Sequence, residues 1–221
     1  MSTATHPHAH AHGNPHGANP HGANPHAHPH AHAHGQPAAA APGSLMALPA
    51  AERKEIIRAK VLENSSRMTI QIARELGVPE TEVIRALPDG TAWELDATRW
   101  QDLVKAFESL EQVHVIASNG AVTLECFGQF GNFSVWGDYF NVQTKSLDMH
   151  IRSSQIAAAF AVVKPSHMDG VPTVSFQFYD HAGTSAFKVF LTFGSSAPTK
   201  EKMAAFEGIR DRFLKPAGAS V

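Results

Sequence analysis

Cysteine is almost absent from this 221-residue chain, Cys126 being the only one. A lone thiol excludes an intrachain disulfide and every zinc or iron–sulfur motif built from several cysteines. Charge is missing from one end. No Asp, Glu, Lys or Arg precedes Glu52, so all 18 basic and 20 acidic side chains lie in the remainder. Long apolar runs are missing too, and without a stretch of about 18 such residues no bilayer-spanning helix is expected. The first dozen residues lack the basic and apolar segments of a secretory leader, which points to a cytoplasmic protein. A net charge of −2 gives no electrostatic reason to bind nucleic acid or an anionic membrane. Also missing are Gly-x-Ser-x-Gly, a Walker loop, a Rossmann fingerprint and His-Glu-x-x-His, so the common catalytic signatures give no enzyme assignment.

Histidine fills the uncharged end. Eleven of the 15 histidines lie between His6 and His34, within a repeat of His-Gly-Ala-Asn-Pro and His-Ala pairs. Residues 1–44 carry almost no apolar side chain larger than Ala, and their burial could not offset the entropy of ordering, so a disordered tail is expected. Closely spaced imidazoles suit Zn, Ni or Cu, which makes His26, His28, His30, His32 and His34 candidates for chelation. The competing reading is a solubilising linker.

The remainder reads as a helical subdomain over 45–112, a strand-rich part with a C-terminal helix over 113–214, and a short tail over 215–221. Ile56, Ile57 and Val61 make one helical stripe, and Ile70, Ala73 and Leu76 a second that Gly77 ends. Pro79 opens a third helix. Thr98 to Gln101 reads as a capping box before a helix presenting Trp100, Leu103, Val104, Phe107 and Leu110. The period then changes to two, with a hairpin at Asn119-Gly120 and further strands over 132–142, 146–152, 156–163, 173–179 and 186–193. A last helix carries Met203, Phe206, Ile209 and Phe213. Helices, an antiparallel meander and a helix make an α+β fold.

Read face by face, Leu147, Met149 and Ile151 oppose Asp148, His150 and Arg152. Val174, Phe176 and Phe178 oppose Ser175, Gln177 and Tyr179. Phe187, Val189 and Leu191 oppose Lys188, Phe190 and Thr192. The expectation is one apolar face for the core, and a second face, rich in aromatics and cations, for a flat and partly anionic ligand. Cys126 reads as an inert small hydrophobe. Ala73 to Pro79 has the look of a helix-turn-helix, but Glu80 and Glu82 would face phosphate, so a helical cap on the sheet is preferred.

Gly137-Asp138-Tyr139-Phe140-Asn141, Leu147 to Arg152, Val174 to Phe178 and Ala186 to Leu191 together resemble the HutX/ChuX family of intracellular haem-utilisation carriers, related to each half of the HemS/ChuS proteins. The resemblance covers roughly residues 48–214. It implies a helical cap on a curved antiparallel sheet and a homodimer. It also implies haem b held reversibly as cargo in the cytoplasm and handed on for storage or breakdown. Tyr139 and His150 become iron-ligand candidates and Arg152 and Lys188 propionate candidates, with Phe140 and Gln177 as further haem contacts. Family members often carry His or Gly in place of Asp138 and His in place of Asp148, and a carboxylate there would repel propionates. Ferric iron takes either a phenolate or an imidazole. A haem-degrading enzyme and a metal-storage protein led by the tail remain the alternatives, and the haem donor and acceptor are unassigned.

Overall fold

The computed structural model describes residues 44–166, 171–194 and 196–216, and after a 3₁₀ turn at Leu45–Ala47 three α-helices lead these described residues. They are α1 (Ala50–Glu63), α2 (Thr69–Leu76) and α3 (Glu80–Arg85). Ile57 and Val61 bury the stripe of α1, while Ile56 stays exposed. Gly77 ends α2 at φ 65°, and its N–H bonds the Ala73 and Arg74 carbonyls, a conformation costly for any residue with a Cβ. Pro79 is the N-cap of α3 and not its first helical residue.

A strand follows where only helix was expected. β1 (Ala92–Leu95) is four residues long, too short to declare a period, and is defined by antiparallel pairing with residues some 70 positions away, Ala92 opposite Val162. Asp96, not Thr98, then begins the next element. Its carboxylate accepts from the Thr98 N–H, so the expected capping box gives way to a 3₁₀ turn before α4 (Trp100–Ala106). The apolar face forms as read, burying Trp100, Leu103, Val104, Phe107 and Leu110.

β2 (Gln112–Ser118) and β3 (Thr123–Gln129) make the Asn-Gly hairpin, with Gly120 at φ 89° and Asn119 Oδ1 accepting from the Ala121 and Val122 N–H groups. The single strand expected over 132–142 is two, β4 (Phe133–Trp136) and β5 (Tyr139–Gln143), folded back at Gly137. β6 (Asp148–Arg152), β7 (Ala158–Pro165), β8 (Pro172–Tyr179) and β9 (Ser185–Phe190) follow. The chain closes with α5 (Lys200–Phe213), capped by the Thr199 hydroxyl and burying Phe206, Ile209 and Phe213.

The strands form two antiparallel sheets, one of six in the order β1-β7-β8-β9-β2-β3 and one of three, β4-β5-β6. Phe176, Phe178, Val113 and Val189 from the large sheet meet Phe140, Val142 and Ile151 from the small one, with α4 and α5, in the main core. Phe107 stacks on Phe176 at 4.8 Å. Each such large apolar side chain contributes about 1.5–3 kcal/mol on full burial. The opposite face of β7 and β8 is not open. Ile57, Val61, Ile72, Val83 and Ile84 of the helices pack there against Phe160, Val162 and Tyr179. The expected ligand platform on the large sheet is therefore corrected: over these strands the helical cap fills it. No helix among the described residues is long and apolar enough to cross a membrane.

Candidate functional site

The small sheet turns one side to the core and the other outward. Alternation sends Phe140, Val142 and Ile151 inward, and Tyr139, Asn141, His150 and Arg152 to the outer face. Antiparallel register sets Tyr139 opposite Arg152, Asn141 opposite His150, and Trp136 opposite Tyr139. Trp136, the register partner of Tyr139 at the hairpin end, is 79 % exposed.

Polar contacts order this face. Arg152 Nη2 donates to the Tyr139 hydroxyl at 2.9 Å, and the guanidinium carbon lies 5.5 Å from the phenol ring centroid. That hydrogen bond holds the Arg152 guanidinium above its ordinary pKa. The His150 side chain is 58 % exposed, and its Nδ1 lies 2.7 Å from Asn141 Oδ1. Asp148 Oδ1 stands 3.6 Å from His150 Nε2, beyond hydrogen-bond length. Asp138 is turned aside: its carboxylate accepts from the Ser154 N–H at 3.0 Å and from the Ser154 hydroxyl. His181, in the β8–β9 turn, approaches the Ser154 carbonyl at 3.0 Å.

Tyr139, His150 and Arg152 are thus brought together, but the other three haem candidates are not. Phe140 lies behind them in the core at 1 % exposure, edge-on to Trp100 and stacked on Phe133. Gln177 is buried under the helical cap, donating to Ser175 Oγ and accepting from the Tyr179 hydroxyl at 2.6 Å. Lys188 is on that same covered face, where its ammonium pairs with the buried Glu80 carboxylate of α3. These placements correct the expectation that Gln177 and Lys188 lie on an open face for a ligand. Period-two reading says which side of its own strand a residue takes. It does not say which sheet the strand joins, or what covers that side.

The chain has two tyrosines, and they differ in what they can do. Burial, and then the Glu80 carboxylate beside it, push the Tyr179 hydroxyl well above its ordinary pKa, so it stays a neutral donor. Tyr139 is the accessible phenol. Burial also raises the Cys126 thiol, in keeping with an inert side chain. A groove of about 540 Å³ lies elsewhere, between α4 and α5, lined among others by Lys105, Glu108, Ser109 and Arg212. None of the haem candidates borders it. Among the described residues no cluster of three or more His, Cys, Asp or Glu could hold a bare metal ion. The candidate chelators His26, His28, His30, His32 and His34 lie outside the described residues.

Two features of this face had no part in the reading of the sequence. Asn141 was within a quoted motif but without a role. Its place two residues from Tyr139 on the same strand face was the signal available. The Ser154–His181 contact had none, because it joins turns 27 residues apart.

The curated relative HmuS of Yersinia pestis, a hemin transport protein, is 26 % identical over 164 residues, covering 74 % of this chain and 45 % of its own length. The chain thus spans less than half of that relative. A protein from Agrobacterium tumefaciens shares the fold at a TM-score of 0.66 and 24 % identity, over 79 % of this chain and 99 % of its own. The haem-binding protein ChuX matches at a TM-score of 0.63 and 17 % identity, over 71 % and 97 % of the two chains. ChuS, described as an E. coli haem oxygenase, matches at 0.62 and 23 % identity, over 75 % of this chain but 48 % of its own. The family model for haem utilisation ChuX/HutX proteins matches residues 93–209, more than half of the sequence, from within β1 to within α5, and the chain belongs to that family.

Proposed function

We propose that this chain is a non-enzymatic cytoplasmic haem carrier, which binds one haem per subunit at the outer face of the β4-β5-β6 sheet. Tyr139 or His150 holds the iron, and Arg152 and Trp136 flank the porphyrin. The observation that carries this reading is the half-buried phenol of Tyr139 on the same sheet face as the exposed imidazole of His150, in a chain of the haem-utilisation family. Phenolate and imidazole both ligate haem iron, a cation beside them suits propionates, and an exposed indole offers a stacking surface. A site open on one side also suits reversible loading. Lys188 has no part in it, being committed to Glu80.

Hemin titration of the chain, with and without residues 1–44, tests the reading. A shifted Soret band saturating near one haem per subunit supports it, and no saturable shift refutes it. Tyr139→Phe and His150→Ala then identify the ligand; two unchanged spectra refute the ligand assignment even if haem binds.

One second reading has an observation in its favour, the likeness to ChuS, described as a haem oxygenase. Ascorbate added to the hemin complex decides it. Soret loss that persists with catalase present, with a linear tetrapyrrole appearing, means an enzyme.

A homodimer belongs to the same proposal. At the end of the large sheet beyond the cap, His114 stacks on Phe127 at 5.1 Å and meets Phe193 edge-on at 4.8 Å, with Phe127 and Phe193 about half exposed. This aromatic face is assigned to a second copy of the chain, and Phe127→Glu should convert dimer to monomer in light scattering. Zn, Ni or Cu binding by the tail histidines is a separate proposal, tested by calorimetry on a peptide of residues 1–44.

A further inference from the structure

Asn141 is 6 % exposed although it lies on the outer face of the small sheet, and both ends of its amide are committed. Nδ2 donates to Ser134 Oγ on β4 at 3.1 Å, and Oδ1 lies 2.7 Å from His150 Nδ1 on β6. Ser134 in turn gives its hydroxyl proton to Gln143 Oε1 at 3.4 Å. The chain of donors therefore has a direction across all three strands. The serine proton goes to Gln143, so the serine lone pairs receive the asparagine N–H, and the amide oxygen is left facing the imidazole. An amide oxygen has no proton to give, so the proton between it and His150 sits on Nδ1.

We infer that Asn141 is a positioning residue that fixes His150 in the Nδ1–H tautomer and so presents the lone pair of Nε2 outward to an incoming metal-centred ligand. Which nitrogen of a histidine carries the proton is set by the bond the other makes, and ligating histidines characteristically give their second N–H to such an acceptor. Asp148 does not compete, because at 3.6 Å it forms no hydrogen bond to Nε2 and its side chain is largely exposed. Asn141 itself touches no ligand in this assignment; it acts through His150. The identity of the ligand rests on the haem reading, whereas the tautomer does not.

The test is a long-range proton–nitrogen correlation spectrum of the full chain, labelled with ¹⁵N-histidine and free of haem, near pH 8, with His150→Gln for assignment. His150 should show a protonated Nδ1 and an unprotonated Nε2. Asn141→Leu should move the proton to Nε2 and, where His150 holds the iron, weaken hemin binding about tenfold or more, the loss usual for a residue that orients a ligand. Asn141→Asp keeps an acceptor and should keep the Nδ1–H pattern. If Asn141→Leu does not fold, Ser134→Ala breaks the same donor chain from the adjacent strand and should give a mixture of tautomers. A wild-type spectrum with the proton on Nε2, which is what the inverted amide would produce, overturns the inference. So does a tautomer unmoved by Asn141→Leu or, where that variant does not fold, by Ser134→Ala. If the spectra come out as expected while hemin fails to saturate, the haem reading falls and the role of Asn141 stands.

Discussion

The guanidinium of Arg152 donates to the phenol oxygen of Tyr139 directly across the β5–β6 ladder, at 2.9 Å. Arginine was expected to meet a propionate; here its partner within the chain is the candidate iron ligand. A donor on the phenol oxygen stabilises negative charge there, as coordination to ferric iron requires. Where Tyr139 holds the iron, Arg152→Met should therefore weaken hemin binding about tenfold, as removal of a ligand's partner does elsewhere. If Tyr139 is the ligand, Tyr139→Phe should abolish the phenolate charge-transfer band. Absorption titration measures both.

Lys188 should matter for stability and not for haem. Its ammonium is the partner of Glu80, which is 2 % exposed and also accepts from the Thr69 hydroxyl at 2.6 Å. Lys188→Met leaves that carboxylate buried and unpaired, a loss of about 3–5 kcal/mol that denaturant unfolding will read. Replacing both partners, Glu80→Gln with Lys188→Met, should restore most of it. Hemin affinity of the folded variants should stay near the parent value.

The cap seam should also show in the pH dependence of stability. Burial, and then the Lys188 ammonium, pull Lys164 down to about 8, while its Nζ donates to the Ser66 carbonyl of the α1–α2 connection at 3.2 Å. The unfolded chain holds this proton to the ordinary lysine value of 10.5. Above about pH 8 the unfolded state thus binds more protons than the folded one, and stability from this group rises with pH up to the ordinary value. Below that window both states are charged and the burial penalty is present in full. Solvent screening holds the effect to roughly 1–2 kcal/mol. Lys164→Met should flatten the rise between pH 8 and 10 in parallel unfolding curves.

Gly183 should be intolerant of any side chain. It turns the β8–β9 connection at φ 71°, and a Cβ there would lie 2.5 Å from Thr81 Oγ1 and 2.7 Å from Pro79 Cβ. Gly183→Ala combines a left-handed backbone with a clash against the start of α3, and about 1–3 kcal/mol should be lost. A lower unfolding midpoint with faster proteolysis between α2 and α3 is the expected result.

Much of the fold was legible because its signals are local. Asn119-Gly120 makes its hairpin from the left-handed backbone that Gly120 allows and the turn N–H groups that the Asn119 side chain accepts, and the stripes of α4 and α5 name their own buried faces. β1 was not legible, since four residues carry no period and pairing with β7 creates the strand. One run over 132–142 became two strands because Gly137 reverses the chain between residues that alternate on both sides of it. At the candidate site, the motif residues Tyr139, His150 and Arg152 share a face as alternation and register require. Gln177 and Lys188 fit the same alternation, yet lie beneath α1 to α3.

The sequence alone determined the α+β order, the hairpin, the inward face of each long element and the family, since each depends on neighbours a few residues apart or on ordered motifs. Tertiary structure decided that the strands divide into two sheets, that the helices cover one face, and that an arginine meets a tyrosine while a lysine meets a glutamate. The physical reason is that strand pairing and layer packing join residues distant along the chain. The partner that wins is set by the free energy of the whole arrangement, not by any local preference.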